Sequence, residues 1–171
     1  MNLDDLPPVE VMWEGKFVRA LRRGKWEYAS RARNIGAVVI LAQNEGKVIL
    51  VEQPRVATDC RCIELPAGLV GDLDPNSTVE STAIRELEEE TGFTAERVER
   101  LGEFYSSPGM LSEGFTIVRA HGVRKIGEGG GDDSEDIKVH LVPPGEIANF
   151  LEQKRAEGLG IDAKLLLLLN F

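Results

Sequence analysis

Cysteine and histidine are scarce: Cys60, Cys62, His121 and His140 are all that the 171-residue chain contains. Two thiols one residue apart are no disulfide framework, and with two distant histidines they do not have the ligand spacing of a structural zinc motif. They are read as reduced thiols of a cytoplasmic protein. Positive charge is short as well. Lys and Arg number 20 against 29 Asp and Glu, a formal net charge of -9, whereas a chain that coats nucleic acid needs a basic footprint. No apolar run approaches the ~20 residues of a membrane span, and no basic segment with an apolar core opens the chain. Neither nucleic acid nor a membrane is an expected partner.

What remains is an ordinary globular composition, 42% hydrophobic and 29% charged, at a length that predicts one domain. From Val9 to Arg33 short apolar stretches alternate with turns at Glu14-Gly15 and Gly24, the pattern of an antiparallel meander. Ile35–Leu41 and Lys47–Glu52 are aliphatic strands whose linker predicts a hairpin feeding the main sheet. A short strand at Cys62–Leu65 ends in Pro66-Ala67-Gly68. After an irregular stretch, Ser77 and Glu80 have capping-box spacing, which predicts a helix from Thr78 to Thr91 closed by Gly92. Further strands are expected at Leu101–Tyr105, Phe115–Gly122 and Asp136–Val142, the last with Ile137, Val139 and Leu141 on one face. His121 and His140 fall inside these strands and are taken as structural, without partners. Pro144 opens a second helix, and a last one starts at Asp162.

The helix carries the chemistry. Glu86, Glu89 and Glu90 share one face, while Val79, Ala83 and Leu87 form the opposite stripe. Clustered anions in a last helical turn repel each other and meet the negative end of the helix dipole. A hard divalent cation, Mg²⁺ or Mn²⁺, reverses that sign, with Arg85 orienting one carboxylate. The run by itself also fits a solvated charged face with Arg85–Glu89 as a surface pair. The Gly-rich run near Gly129 is no P-loop, and Asp132–Asp136 lacks EF-hand spacing.

Arg85-Glu86-Leu87, Glu89-Glu90 and Gly92-Phe93 fit, position by position, the second half of the Nudix hydrolase box, and the chain resembles that family. Gly71 stands at the spacing of the box glycine, or Gly68 takes that role with a longer loop. In either register the box's first Glu is absent, and Ser77 occupies its place in the Gly71 register. Ser107-Pro108-Gly109 and Glu113, with Glu52-Gln53-Pro54-Arg55 and Glu64-Leu65-Pro66-Ala67-Gly68, resemble the ADP-ribose pyrophosphatase branch.

The resemblance implies an α/β fold, a Nudix-type α/β/α sandwich with a mixed sheet. It implies an N-terminal β-meander over residues 1–33 that serves dimerisation and base binding, ahead of a Nudix domain over 34–171. It implies a Mg²⁺-dependent homodimer that hydrolyses a nucleoside diphosphate sugar, ADP-ribose first, with GDP-mannose or another nucleoside diphosphate derivative as the alternative. A non-catalytic nucleotide-binding module is the reading from another class. Metal ligands would be Glu86, Glu89, Glu90 and the Ala67 carbonyl. Phe17 and Trp26 would stack on the base, with Glu27 and Arg31 as polar contacts, although a cross-strand aromatic pair explains the two rings equally. Arg55 would grip a phosphate, and Ser107, Gly109 and Glu113 belong to the substrate loop. Glu135 is the first choice for general base and Asp133 the second.

Overall fold

The computed structural model describes residues 2–33, 35–72, 74–131 and 135–169. Asp133 therefore lies outside the described residues. The meander is present as a separate three-stranded antiparallel sheet of β1 (Glu10–Glu14), β2 (Val18–Arg23) and β3 (Trp26–Arg31), in that order. The following strands are β4 (Ala37–Leu41), β5 (Gln43–Asn44), β6 (Lys47–Arg55), β7 (Cys60–Glu64) and β8 (Ala67–Leu69). Helix α1 (Val79–Thr91) comes next, then β9 (Phe93–Thr94), β10 (Arg97–Tyr105), β11 (Gly114–His121), β12 (Arg124–Lys125) and β13 (Lys138–Val142). Helix α2 (Ile147–Ala156) and β14 (Gly160–Ile161) precede a 3₁₀ segment, Ala163–Leu168. That segment replaces the α-helix expected from Asp162, whose carboxylate caps it at the Lys164 amide.

Two mixed sheets form the centre. One has the order β10-β11-β4-β8, with β11 and β4 parallel; the other runs β13-β6-β7-β14, with β7 and β14 parallel. The hairpin expected between β4 and β6 is thus corrected: they enter different sheets, and the tight turn at Glu45-Gly46 joins β5 to β6. The sheets stay in contact at that seam, where the Ile49 amide donates to the Ala42 carbonyl at 3.0 Å.

Alternation along β4 and β6 builds the layers. Val38, Ile40 and Ile49 face Ala83 and Leu87 of α1, while Val39 and Leu50 face Ile147 and Leu151 of α2. The sheet is covered on both sides, as in the expected α/β/α sandwich. On β13 the alternation departs from expectation: Leu141 is exposed, while His140 turns inward against Phe150.

The start of α1 also differs. Thr78, rather than Ser77, is the N-cap, and its partner is Ser81, rather than Glu80: the Ser81 amide donates to Thr78 Oγ1 at 3.1 Å and the Thr78 amide to Ser81 Oγ at 3.0 Å. Glu80 is drawn away to Arg100, whose Nε donates to it at 2.7 Å. Thr78→Ala should cost about 1 kcal/mol and Ser77→Ala only a few tenths, measured by urea denaturation. Equal effects would reinstate the Ser77 cap. At the other end Gly92 has φ +71, and a Cβ there would fall 2.2 Å from the Gly127 carbonyl oxygen, so glycine is required.

Candidate active site

The carboxylate face of α1 lies over β8. A Cβ on Gly68 would stand 2.1 Å from Glu86 Oε1, so any larger residue there would push that carboxylate out of its place. Next to it the Ala67 amide donates to Glu90 Oε2 at 3.1 Å. Arg85 donates to Glu89 Oε2 at 2.5 Å and to Glu86 Oε1 at 2.7 Å. The face is only partly solvated: Glu89 is exposed, whereas Glu90 is only 4% exposed.

These groups wall a cleft of about 470 Å³, with Arg55, Gln53, Arg31, Asp72 and Glu135 around the rest of it. Glu135 comes from the segment after β12, and its carboxylate is close enough to Glu86 and Glu90 to raise the proton affinity of both. The backbone before it is tied to the end of α1, where the Gly130 amide donates to the Glu90 carbonyl at 2.9 Å and the Gly131 amide to that of Glu89 at 3.0 Å. The last carbonyls of the helix therefore find partners in this segment.

Burial, then the like charges of Glu86 and Glu135, push Glu90 up to about 8 against the lowering effect of the Ala67 amide. Glu86 is raised for the same first reason, with Arg85 opposing. Among the described residues no three metal-binding side chains already converge on one point. The donor set nevertheless suits a hard divalent ion: its atoms are carboxylate oxygens, and a cation among them would return Glu90 to the charged form that its burial disfavours.

The remaining candidates fall into two groups. Arg55 makes a two-pronged pair with the buried Glu64, Nε to Oε1 at 2.6 Å and the other nitrogen to Oε2 at 2.7 Å. Arg31 pairs with Glu113, bringing the meander to the β10–β11 connection, which is also fastened by the Ala29 amide donating to the Met110 carbonyl at 2.9 Å. Trp26 and Glu27 line a separate, mostly apolar cavity of about 450 Å³ with Gly109 and Pro108. Phe17 is exposed outside that cavity, with the Lys16 ammonium 4.8 Å from its ring centre. The Ser107 carbonyl accepts from the Met110 and Leu111 amides, shaping the turn.

Two features escaped the sequence. Both histidines have partners: His121 Nε2 is 2.9 Å from Glu99, and His140 Nε2 is 3.0 Å from Glu52. Glu52 is a buried hub, bonded also by Arg61 Nε at 2.7 Å and Lys138 Nζ at 3.3 Å, with Lys154 Nζ at 3.8 Å. Glu64 was the other omission, a buried acid that fixes the guanidinium of Arg55 at the cleft.

The covered mixed sheet thus sets a carboxylate-bearing helix end and two arginines around one polar cleft. The chain belongs to the Nudix family: the NUDIX domain model matches residues 32–163, and the protein is a Nudix hydrolase. Nudix hydrolases in general work with a divalent metal ion. It is 42% identical over 136 residues to the ADP-ribose pyrophosphatase of Bacillus subtilis (strain 168), covering 78% of this chain and 72% of that protein. It is 38% identical over 147 residues to a GDP-mannose pyrophosphatase of Cronobacter sakazakii, covering 81% and 73%. A methanol dehydrogenase activator of Bacillus methanolicus is 34% identical over 154 residues, covering 85% and 82%. Among solved structures an ADP compounds hydrolase superposes with a TM-score of 0.68 at 25% identity, over 86% of this chain and 82% of that one.

Proposed function

We propose that the protein hydrolyses ADP-ribose to AMP and ribose 5-phosphate, with Mg²⁺ held by Glu86, Glu89 and Glu90. The observation that carries this reading is the cleft itself, whose lining joins the carboxylates of Glu86, Glu89 and Glu90 to Arg55 and Arg31 around a space suited to a diphosphate. Bound there, Mg²⁺ supplies charge neutralisation at phosphorus and a lowered pKa for water. The protein's own part is orientation and proton transfer. Arg85 keeps Glu86 and Glu89 turned toward the cleft, and Glu64 keeps the planar fork of Arg55 facing a phosphate. Glu135 accepts the proton of the attacking water, whose oxygen joins one phosphorus as the bridging P–O bond breaks.

The adenine would stack on Trp26 in the neighbouring apolar cavity, and a second copy of the meander would complete that pocket in a homodimer. Similarity to GDP-mannose pyrophosphatases supports a second reading in which the base is guanine and the sugar mannose. A stacking ring alone separates these purines poorly. The test is nucleotide release from ADP-ribose, GDP-mannose, UDP-glucose and NADH, with Mg²⁺ and with EDTA, products being identified by chromatography. AMP from ADP-ribose, lost with EDTA, is the expected result. GMP as the dominant product would select the second reading, and no turnover on any substrate would leave a nucleotide-binding module.

A further inference from the structure

Cys60 and Cys62 stand apart from the carboxylate cleft's chemistry. Alternation along β7 points both thiols the same way, and their Sγ atoms are 3.9 Å apart. Thr58 closes the third corner: its Oγ1 lies 3.5 Å from each sulfur and accepts from the Cys60 thiol. Above them runs β14, where Gly160 pairs with Cys62. A Cβ on Gly160 would sit 2.6 Å from Cys62 Sγ and 3.1 Å from Cys60 Sγ. The missing side chain lets both sulfurs pack against this backbone, Cys60 partly exposed and Cys62 buried.

We propose that Cys60 and Cys62 form a two-thiolate clasp for a single thiophilic d¹⁰ cation of the Zn²⁺ class, seated over the triangle made by the two sulfurs and Thr58 Oγ1. The dimensions carry the argument. A tetrahedral ion with bonds of about 2.3 Å to sulfur holds two thiolates about 3.8 Å apart, close to the spacing already present. Thr58 Oγ1, 3.5 Å from each sulfur, completes a triangle with the spacing of three ligands on one such ion. A disulfide fits less well: two residues apart on a strand, the Cα atoms stand about 6.6 Å from each other, at the far end of the range a disulfide bridges. Strand β7 is paired on both edges, so its backbone resists the movement needed. Binding releases the two thiol protons to solvent, with Thr58 Oγ1 and water as the other ligands. Soft sulfur and hard carboxylate then sort different ions to different places in one chain.

The test is a Cd²⁺ titration of the whole protein in excess Mg²⁺, which keeps the carboxylates occupied, following the ultraviolet thiolate-to-Cd²⁺ charge-transfer band. The expected result is saturation at one Cd²⁺ per chain and displacement by Zn²⁺, with the band lost in Cys60→Ser. Gly160→Ala should also lose it while both thiols still react with a thiol-specific reagent. A band that survives Cys60→Ser or Gly160→Ala, or one that saturates at one ion per two chains, overturns the clasp. Should Gly160→Ala fail to fold, the partly exposed Cys60 variant decides alone.

Discussion

Glu90→Gln is expected to lower kcat by about a hundredfold or more while making the metal-free protein more stable. The two effects have one cause. Glu90 is buried, and the raised proton affinity of its carboxylate measures how poorly the folded chain tolerates that charge without a cation. Glutamine keeps an oxygen for the Ala67 amide but carries no charge to coordinate or repel, and a ligand that contributes several kcal/mol at the transition state is lost. The sign with pH follows. An acid at about 8 in the fold and about 4.5 unfolded favours the folded state below 4.5, and that advantage disappears as pH rises through 8. The metal-free wild type should lose at most about 5 kcal/mol over this window, and both Mg²⁺ and Glu90→Gln should flatten the slope. Thermal unfolding in EDTA from pH 5 to 8.5 measures it. A metal-free variant less stable than wild type at pH 8 would refute the assignment of Glu90 as a charge held for a cation.

Glu52→Gln should be the most destabilising polar substitution in the molecule, by about 3 kcal/mol, with little change in KM. This carboxylate is also buried, yet its balance is the reverse. Burial raises its proton affinity, and hydrogen bonds from Arg61, His140 and Lys138 outweigh that and hold it down at about 2. Glutamine answers the geometry of one donor and the charge of none, leaving Arg61, Lys138 and Lys154 facing each other. Its contribution is fully present above the unfolded value of about 4.5 and fades as pH falls toward 2. Glu52 and Glu90 thus bend the stability curve downward on opposite sides, and the metal-free protein should be most stable near the bottom of the Glu90 window. Chemical denaturation of Glu52→Gln at pH 7 is the check; a loss below about 1 kcal/mol would mean the cations escape to solvent.

The contrast between these two acids also marks what the sequence could reveal. Glu86, Glu89, Glu90 and Arg85 were legible because helical spacing alone puts them on one face, and the core stripe of Ala83 and Leu87 followed from the same period. Glu52 was not, since its partners come from β7, β13 and α2, and no local pattern announces pairings so distant in sequence. The N-cap was misassigned for a different reason: Asn76, Ser77 and Thr78 are three consecutive capping residues, and both Glu80 and Ser81 lie three positions beyond a candidate. Glu80 is instead held by Arg100 of β10, a pairing that local spacing does not announce. The β4–β6 hairpin failed because each strand finds a five-residue ladder elsewhere, β4 on β11 and β6 on β13.

Strand β4 has one further property. Val38, Val39 and Ile40 are all almost wholly buried because odd and even positions serve different helices. Such a strand has no inside and outside, so hydrophobic alternation cannot tell it which residue belongs opposite which helix. Its alignment is imposed from the flanks, by five consecutive partners on β11 and by the Ile40 amide donating to the Pro66 carbonyl at 2.8 Å. Pro66 immediately precedes Ala67, so the bond that sets the register of the central strand also anchors the turn beneath Glu90. A frame shift of one residue here would carry the floor of the cleft with it.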